Sequence, residues 1–319
     1  MKIKKLAAVL FASIMMFSMA ACSAVSVDGE GGGSKDQKES SDNGGGSEDG
    51  GTGSGSIGLA VSTLNNPFFV TLSEGAKDAA KESDAELIVV DAGDDAAKQT
   101  SDIEDLISRN ISVLIVNPVD SDAVAPAVKD AVEKGIKVVS VDRVVNGVDV
   151  DCAIASDNVA GAEAATEYLA ELIGENAKTA ELQGVSGASA TIDRGEGFHN
   201  VADEKLDVVS SQTANFNRSE GMTVMENMLQ ANPDIQGVFA HNDEMALGAV
   251  EAIGNKDILV VGFDATDDAL AAVAEGRMAA TVAQKPDLMG ATAVETALKL
   301  MAGESVEKEI PVEVELVTE

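Results

Sequence analysis

The chain has 319 residues, 45% of them hydrophobic and 24% charged, and its 55 Asp and Glu against 22 Lys and Arg give a formal charge of −33. That length and balance suit a soluble globular chain with room for one or two full domains, while the acidity leaves no basic surface for a phosphate backbone. Nucleic acid is thereby excluded as a partner, and a membrane can be met only through a covalent or apolar anchor.

Lys2, Lys4 and Lys5 precede an uncharged apolar run from Leu6 to Met19, the pattern of an export signal. The run is short for a bilayer span, which takes about 20 residues. Met19-Ala20-Ala21-Cys22 resembles a bacterial lipobox, which implies cleavage after residue 21, a lipid on the Cys22 sulfur, and an exported protein anchored to the outer face of the cytoplasmic membrane. Cys22 and Cys152 are the only cysteines. With Cys22 acylated no disulfide is possible, and Cys152, lacking Cys or His neighbours, is expected to be a small buried or half-buried residue. Residues 22–56 combine the lipidated Cys with Gly, Ser and acidic residues in low-complexity order, and are expected to form a disordered tether. Gly53-Ser54-Gly55-Ser56-Ile57-Gly58 matches the dinucleotide fingerprint letter for letter, but it leads into a strand instead of following one, so the match is rejected.

From Ile57 onward, short apolar runs alternate with amphipathic stretches of helical length. Strands are predicted at 57–62, 86–91, 113–117 and 136–141, with helices at 67–82, 95–108 and 122–133 between them. The second half repeats the rhythm: strands at 179–182, 208–212, 237–240, 258–263 and 280–283, helices at 158–173, 188–205, 218–230, 243–252 and 267–275. A helix at 286–301 and a terminal strand at 311–317 follow. Near-continuous apolar strands separated by helices indicate parallel sheets buried on both faces. Some 260 residues of this repeat exceed one open sheet of usual size, so two α/β lobes are expected. A single (β/α) barrel is the competing architecture, and the irregular stretch from Asn146 to Asp157 favours a crossover between lobes.

Ligands of open α/β sheets lie beyond the carboxyl ends of the strands. Those positions hold Ser62 to Phe69, Asp142 and Arg143, Phe216, Asn242 and Asp243, Asp264 and Gln284. Amides, carboxylates, guanidinium groups and phenyl rings are the means of binding a neutral sugar: forked groups clamp adjacent hydroxyls and flat rings cover the apolar faces. Neither a His triad nor a set of metal ligands is present in the pattern, so no catalytic residue, metal or cofactor is expected.

The strings Ser62-Thr63-Leu64-Asn65-Asn66-Pro67-Phe68-Phe69, Val141-Asp142-Arg143, Arg194-Gly195-Glu196-Gly197-Phe198, Asn242-Asp243-Glu244-Met245-Ala246-Leu247-Gly248 and Val261-Gly262-Phe263-Asp264 resemble the periplasmic ribose-binding protein family, from about Ile57 to the C-terminus. The resemblance implies an α/β fold of two Rossmann-like lobes with parallel central sheets, joined by a three-strand hinge, with ligand in the interlobe cleft. The N-terminal lobe is then 57–156 plus 285–313, and the C-terminal lobe 157–284 plus 314–319. It implies ligand contacts from Ser62, Asn66, Phe68, Phe69, Asp142, Arg143, Arg194, Phe216, Asn242, Asp264 and Gln284. The chain departs from the family in its long acidic tether, a shorter connection at 254–257, and Ala265 where Gly is frequent.

Several of these residues also have plainer readings. Adjacent rings cannot both face a core, so at least one of Phe68 and Phe69 should face the cleft. Asp142 and Arg143 could be a solvated strand-end pair, Arg194 a surface ion pair, Phe216 a core residue and Gln284 a hinge residue. His199 and His241, far apart in sequence, are assigned structural or exposed roles. The expected function is capture of D-ribose and its delivery to an ABC-type permease by a lipid-anchored monomer, a role compatible with service to a chemoreceptor. Alternatives are another small sugar, such as allose, galactose or a furanose signal, and a glycosidase using Asp142 and Asp264 as its acid and base.

Overall fold

The computed structural model describes residues 55–318. The export signal, Cys22 and the tether up to residue 54 lie outside the described residues.

The first lobe opens β1 (Ile57–Val61), α1 (Pro67–Glu82), β2 (Leu87–Asp91), α2 (Ala96–Ser108), β3 (Val113–Val116), α3 (Ala125–Glu133), β4 (Lys137–Val141) and β5 (Cys152–Ser156). The second runs through α4 (Asn158–Ile173), β6 (Lys178–Gln183), α5 (Ser189–Lys205), β7 (Asp207–Thr213), α6 (Arg218–Ala231), β8 (Gly237–Ala240), α7 (Asp243–Ile253), β9 (Leu259–Asp264), α8 (Asp267–Ala274) and β10 (Ala280–Ala283). The chain then returns to the first lobe with α9 (Pro286–Met301) and β11 (Glu309–Val312), and ends on the second with β12 (Glu315–Val317).

Each lobe is built on a six-stranded sheet, ordered β11-β5-β4-β3-β1-β2 in the first and β12-β10-β9-β8-β6-β7 in the second. Every pairing is parallel except β10 with β12. The two faces of each strand go to different cores, as the two-residue period requires. Ile57, Leu59 and Val61 pack with α1 and α9, while Ala60 and its neighbours Leu114 and Val116 pack with α2 and α3. In the second sheet Val238 and Ala240 meet α6, α7 and α8, and Phe239, Val261 and Phe263 meet α4 and α5. None of these four clusters takes buried residues from both lobes.

Two stretches differ from the sequence reading. Residues 152–156, within the segment read as irregular, form strand β5, whose Cys152 and Ile154 are buried in the first core. Its small residues and polar approach hide the apolar pattern. Cys152 is a free, buried thiol. The single terminal strand is two: β11 extends the first sheet beside β5, and β12 pairs with β10 in the second. α3 begins three residues later than read, because Asp120 Oδ1 accepts the Asp122 and Ala123 amides (2.9 and 2.8 Å) and holds that stretch as a turn.

Candidate functional site

The carboxyl ends of the two sheets face each other across a narrow cavity.

From the first lobe, Asn66 caps α1 by accepting the Phe68 amide at 2.9 Å, which leaves its own NH2 for a ligand. Phe68 and Phe69 follow in the first turn, edge to face with centroids 5.1 Å apart. Both line the cavity and both rest on the core beneath. Beyond β4, Asp142 takes a left-handed backbone (φ 64°) that turns its carboxylate inward, where Asn117 Nδ2 donates to Oδ2 at 3.0 Å. Arg143 Nη1 donates to the Pro118 carbonyl at 2.8 Å and Nε lies 3.6 Å from Asp142 Oδ2. Its guanidinium sits between the Phe69 ring at 5.0 Å and the Phe216 ring at 5.2 Å, one from each lobe.

From the second lobe, Arg194 on α5 donates through Nε to Asn158 Oδ1 (2.8 Å) and through Nη1 to the His241 carbonyl (2.6 Å). It stacks 3.9 Å over the Phe263 ring and lies 3.8 Å from Asp264 Oδ1. Gln284 Nε2 donates to that same Oδ1 at 2.7 Å. Asn242 caps α7 by accepting the Met245 amide at 3.1 Å. Phe216 stands on a left-handed backbone (φ 58°) with its ring packed directly over Gly184, where a Cβ would lie 2.0 Å from Cζ. Asp264 and Ala265 also have positive φ (133° and 54°), strain of about 1–3 kcal/mol each that recurs at ligand clamps.

Ten of the eleven expected ligand residues line this cavity, joined by Ala190. Ser62 does not: it is fully buried outside the lining, its amide donates to Asn117 Oδ1 at 3.1 Å, and its hydroxyl finds no partner. The link the sequence reading missed is Asn117, which ties the Ser62 loop to Asp142 and to the Val141 carbonyl (3.2 Å). The Asn-Pro pair at the end of β3 was its available signal. Asn158 and the His241 carbonyl, which aim Arg194, lie far from it in sequence, and Ala190 has no chemistry to mark it.

The cavity holds two acids and two guanidinium groups, so it is nearly neutral. Burial pushes the Asp142 and Asp264 carboxyls above the usual range, Asp264 far above, against the pull of the arginines. The same burial pulls Arg143 and Arg194 down, against Asp142 and Asp264 respectively. Within the lining, Arg143 Nε is a buried donor and Gln284 Oε1 a buried acceptor with no partner. A hydroxyl, which both donates and accepts, satisfies either kind. No group of three His, Cys, Asp or Glu that could hold a metal occurs among the described residues.

The two histidines, read as unrelated, meet at one carboxylate. His241 Nε2 lies 2.8 Å from Glu181 Oε1 with both side chains fully buried, and His199 Nε2 lies 3.5 Å from Oε2. Burial drives His241 below its ordinary value despite Glu181. Burial also pushes Glu181 up, but the His241 hydrogen bond and charge, with Ser211 and His199, outweigh it and hold the carboxyl low. A depressed His241 contributes stability that is present above the unfolded value of about 6.5 and lost as pH falls. Asp243, raised to about 6 by burial against hydrogen bonds from Thr281 and Thr266, has the opposite sign: its contribution is present at acid pH and lost as pH rises toward 6. Comparison with His241→Gln, which keeps an amide donor for Glu181 without titrating, isolates the histidine. The unfolding free energy of the wild type relative to that variant should fall between about pH 7 and pH 5; a constant difference in urea titrations at each pH would refute the assignment.

A family model described as periplasmic binding protein domain matches residues 57–305. The ribose import binding protein RbsB of Bacillus subtilis (strain 168) is 53% identical over 265 residues, covering 82% of this chain and 87% of its own. The protein of the same name from Escherichia coli (strain K12) is 49% identical over 265 residues, 82% of this chain and 90% of that one. A crystal structure of an ABC transporter solute binding protein from Bacillus halodurans C-125 with bound myo-inositol is 36% identical, with a TM-score of 0.80 over 84% of this chain and 96% of that one.

Proposed function

Because this chain belongs to the periplasmic binding protein family, we propose that it captures D-ribose outside the cytoplasm and hands it to the membrane subunits of an ABC-type permease, leaving the sugar unchanged. The observation that carries this reading is the pair of buried Arg–Asp couples, Arg143 with Asp142 and Arg194 with Asp264, set against the rings of Phe69, Phe216 and Phe263. Guanidinium groups donate to hydroxyl oxygens, carboxylates accept hydroxyl protons, and the Phe68, Phe69 and Phe216 rings of the lining cover the C–H faces of a pyranose or furanose. Asn66, Asn242 and Gln284 complete the polar shell. The naming of both half-identical relatives as ribose import proteins supports ribose among small sugars.

Asp142 and Asp264 act in this reading as hydroxyl acceptors, each already engaged by an amide and an arginine, and the naming of both relatives as import binding proteins supports capture over glycoside hydrolysis. The lipid on Cys22, the tether that follows it and the monomeric state belong to the same proposal, as does the division into lobes at 57–156 plus 285–313 and 157–284 plus 314–319. Labelled fatty acid incorporated by the wild type and absent from Cys22→Ala tests the anchor. Service to a chemoreceptor uses the same closed form and needs no further site.

Isothermal titration with D-ribose, alongside allose, galactose, xylose and arabinose, tests the assignment. One-to-one binding of ribose well ahead of the others is expected. Preference for another sugar would transfer the site to that sugar, and no heat with any of them would remove sugar capture from the chain.

A further inference from the structure

We infer that Ser189 and Ser121 form a latch outside the sugar cavity, a hydrogen-bonded clasp that exists only while the lobes are closed and sets how long the ligand is held. The inference rests on the binding-protein reading, and it starts from access. No polar side chain lining the cavity is more than 7% exposed, so a ligand can pass only when the lobes separate. The cores belong to one lobe each, and separation therefore breaks the polar contacts across the cleft and leaves the cores intact.

Three such bonds cluster beside the cavity. The Ser121 amide donates to the Gly187 carbonyl at 2.9 Å, the Ser189 amide to Ser121 Oγ at 3.2 Å, and the Val144 amide to Ser189 Oγ at 3.1 Å. Ser121 and Val144 follow β3 and β4 of the first lobe; Gly187 and Ser189 lie at the start of α5 in the second. Ser189 is placed where its hydroxyl could serve its own helix, yet α5 has no side-chain cap and the hydroxyl is turned across the cleft. Its loss would leave the helix as it is and strand the Val144 amide. The Asp120 side chain also closes on this segment: a Cβ on Gly187 would lie 1.8 Å from Asp120 Oδ2, on a carboxylate held in place by the Asp122 and Ala123 amides, so a larger residue at 187 would crowd the closed form. With the lobes apart all these groups meet water, and the bonds are worth nothing to the open state.

Ser189→Ala should release ribose about fivefold faster in stopped-flow displacement, the worth of one neutral hydrogen bond, with association rate and sugar-free thermal unfolding unchanged. Ser121→Ala should act in the same direction and carries the test should Ser189→Ala fail to fold. Dissociation at the wild-type rate in both variants overturns the latch. Dyes on one exposed residue of each lobe separate this failure from that of the sugar assignment. If the wild type takes up no ribose, the sugar-free distance distributions decide: a shift of Ser189→Ala toward separated lobes supports the latch, and identical distributions overturn it.

Discussion

Arg143→Ala is expected to abolish sugar binding, weakening it about a thousandfold or more in titration, while the sugar-free protein unfolds within a few degrees of the wild type. The guanidinium makes charge-assisted hydrogen bonds worth about 1.5–3 kcal/mol each, and its removal leaves Asp142 buried beside a ligand without its partner, a loss of about 3–5 kcal/mol for a broken buried pair. Since about 1.4 kcal/mol is tenfold in affinity, three decades is a conservative sum. Free protein escapes most of this penalty, because separated lobes let Asp142 meet water and neither core contains Arg143. Arg143→Lys should rescue little: an ammonium cannot lie flat between the Phe69 and Phe216 rings, 5.0 and 5.2 Å away, while reaching the Pro118 carbonyl. A variant that unfolds outright would show Arg143 to be part of the fold and not of the site.

Gly184→Ala should be the second severe loss, although Gly184 does not line the cavity. The Phe216 ring covers it so closely that a Cβ would stand 2.0, 2.3 and 2.4 Å from three ring carbons, against an ordinary carbon contact of about 3.5–4.0 Å. The ring has to move by more than an ångström, and with it the aromatic surface it presents to the cavity and to Arg143. Overpacking of this kind costs about 1–3 kcal/mol, and here it falls on the closed form, so affinity should drop about a hundredfold. A cycle with Phe216→Ala checks the mechanism. With the ring gone, adding Gly184→Ala should cost almost nothing further, and full additivity of the two losses would refute it.

The sheets were readable because parallel strands covered on both faces are short continuous apolar runs, and helices begin at Asn-Pro, Asp and Asn caps. β5 was not, because Cys-Ala-Ile-Ala-Ser after a polar turn has too little apolar bulk to stand out. The site was readable in its first layer: strand-end residues of the right chemistry converge on one cavity because all the strands of each sheet except β12 approach it by the same end. What supports that layer was illegible. Asn117 reaches Asp142 across 25 residues, Arg194 reaches Asn158 across 36, and Glu181 reaches His241 across 60, pairings that depend on register between strands and leave no local pattern. Ser62 shows the converse, a strand-end hydroxyl that the same register turns away from the cavity. Phe68 and Phe69 both meet the cavity, since rings set edge to face at a helix start can touch core and cleft together.

The return of α9 and β11 to the first lobe fixes an order of assembly. α1 and α9 cross so tightly that a Cβ on Gly75 would lie 2.2 Å from the Asp287 carbonyl oxygen, and one on Gly290 2.0 Å from that of Leu72. β11 in turn covers the edge of β5. As the chain leaves the ribosome, residues 57–156 therefore emerge with one face of their sheet covered by α1 alone, and must wait for the whole intervening lobe to be made before their own packing is complete. The second lobe, nearly contiguous from α4 to β10, needs only the short edge strand β12 from afar. Translation would thus give the later lobe nearly all of its packing before the earlier lobe completes its second core at α9, so the segment synthesised earliest waits longest with part of one face uncovered, and longest available to whatever holds unfolded chains.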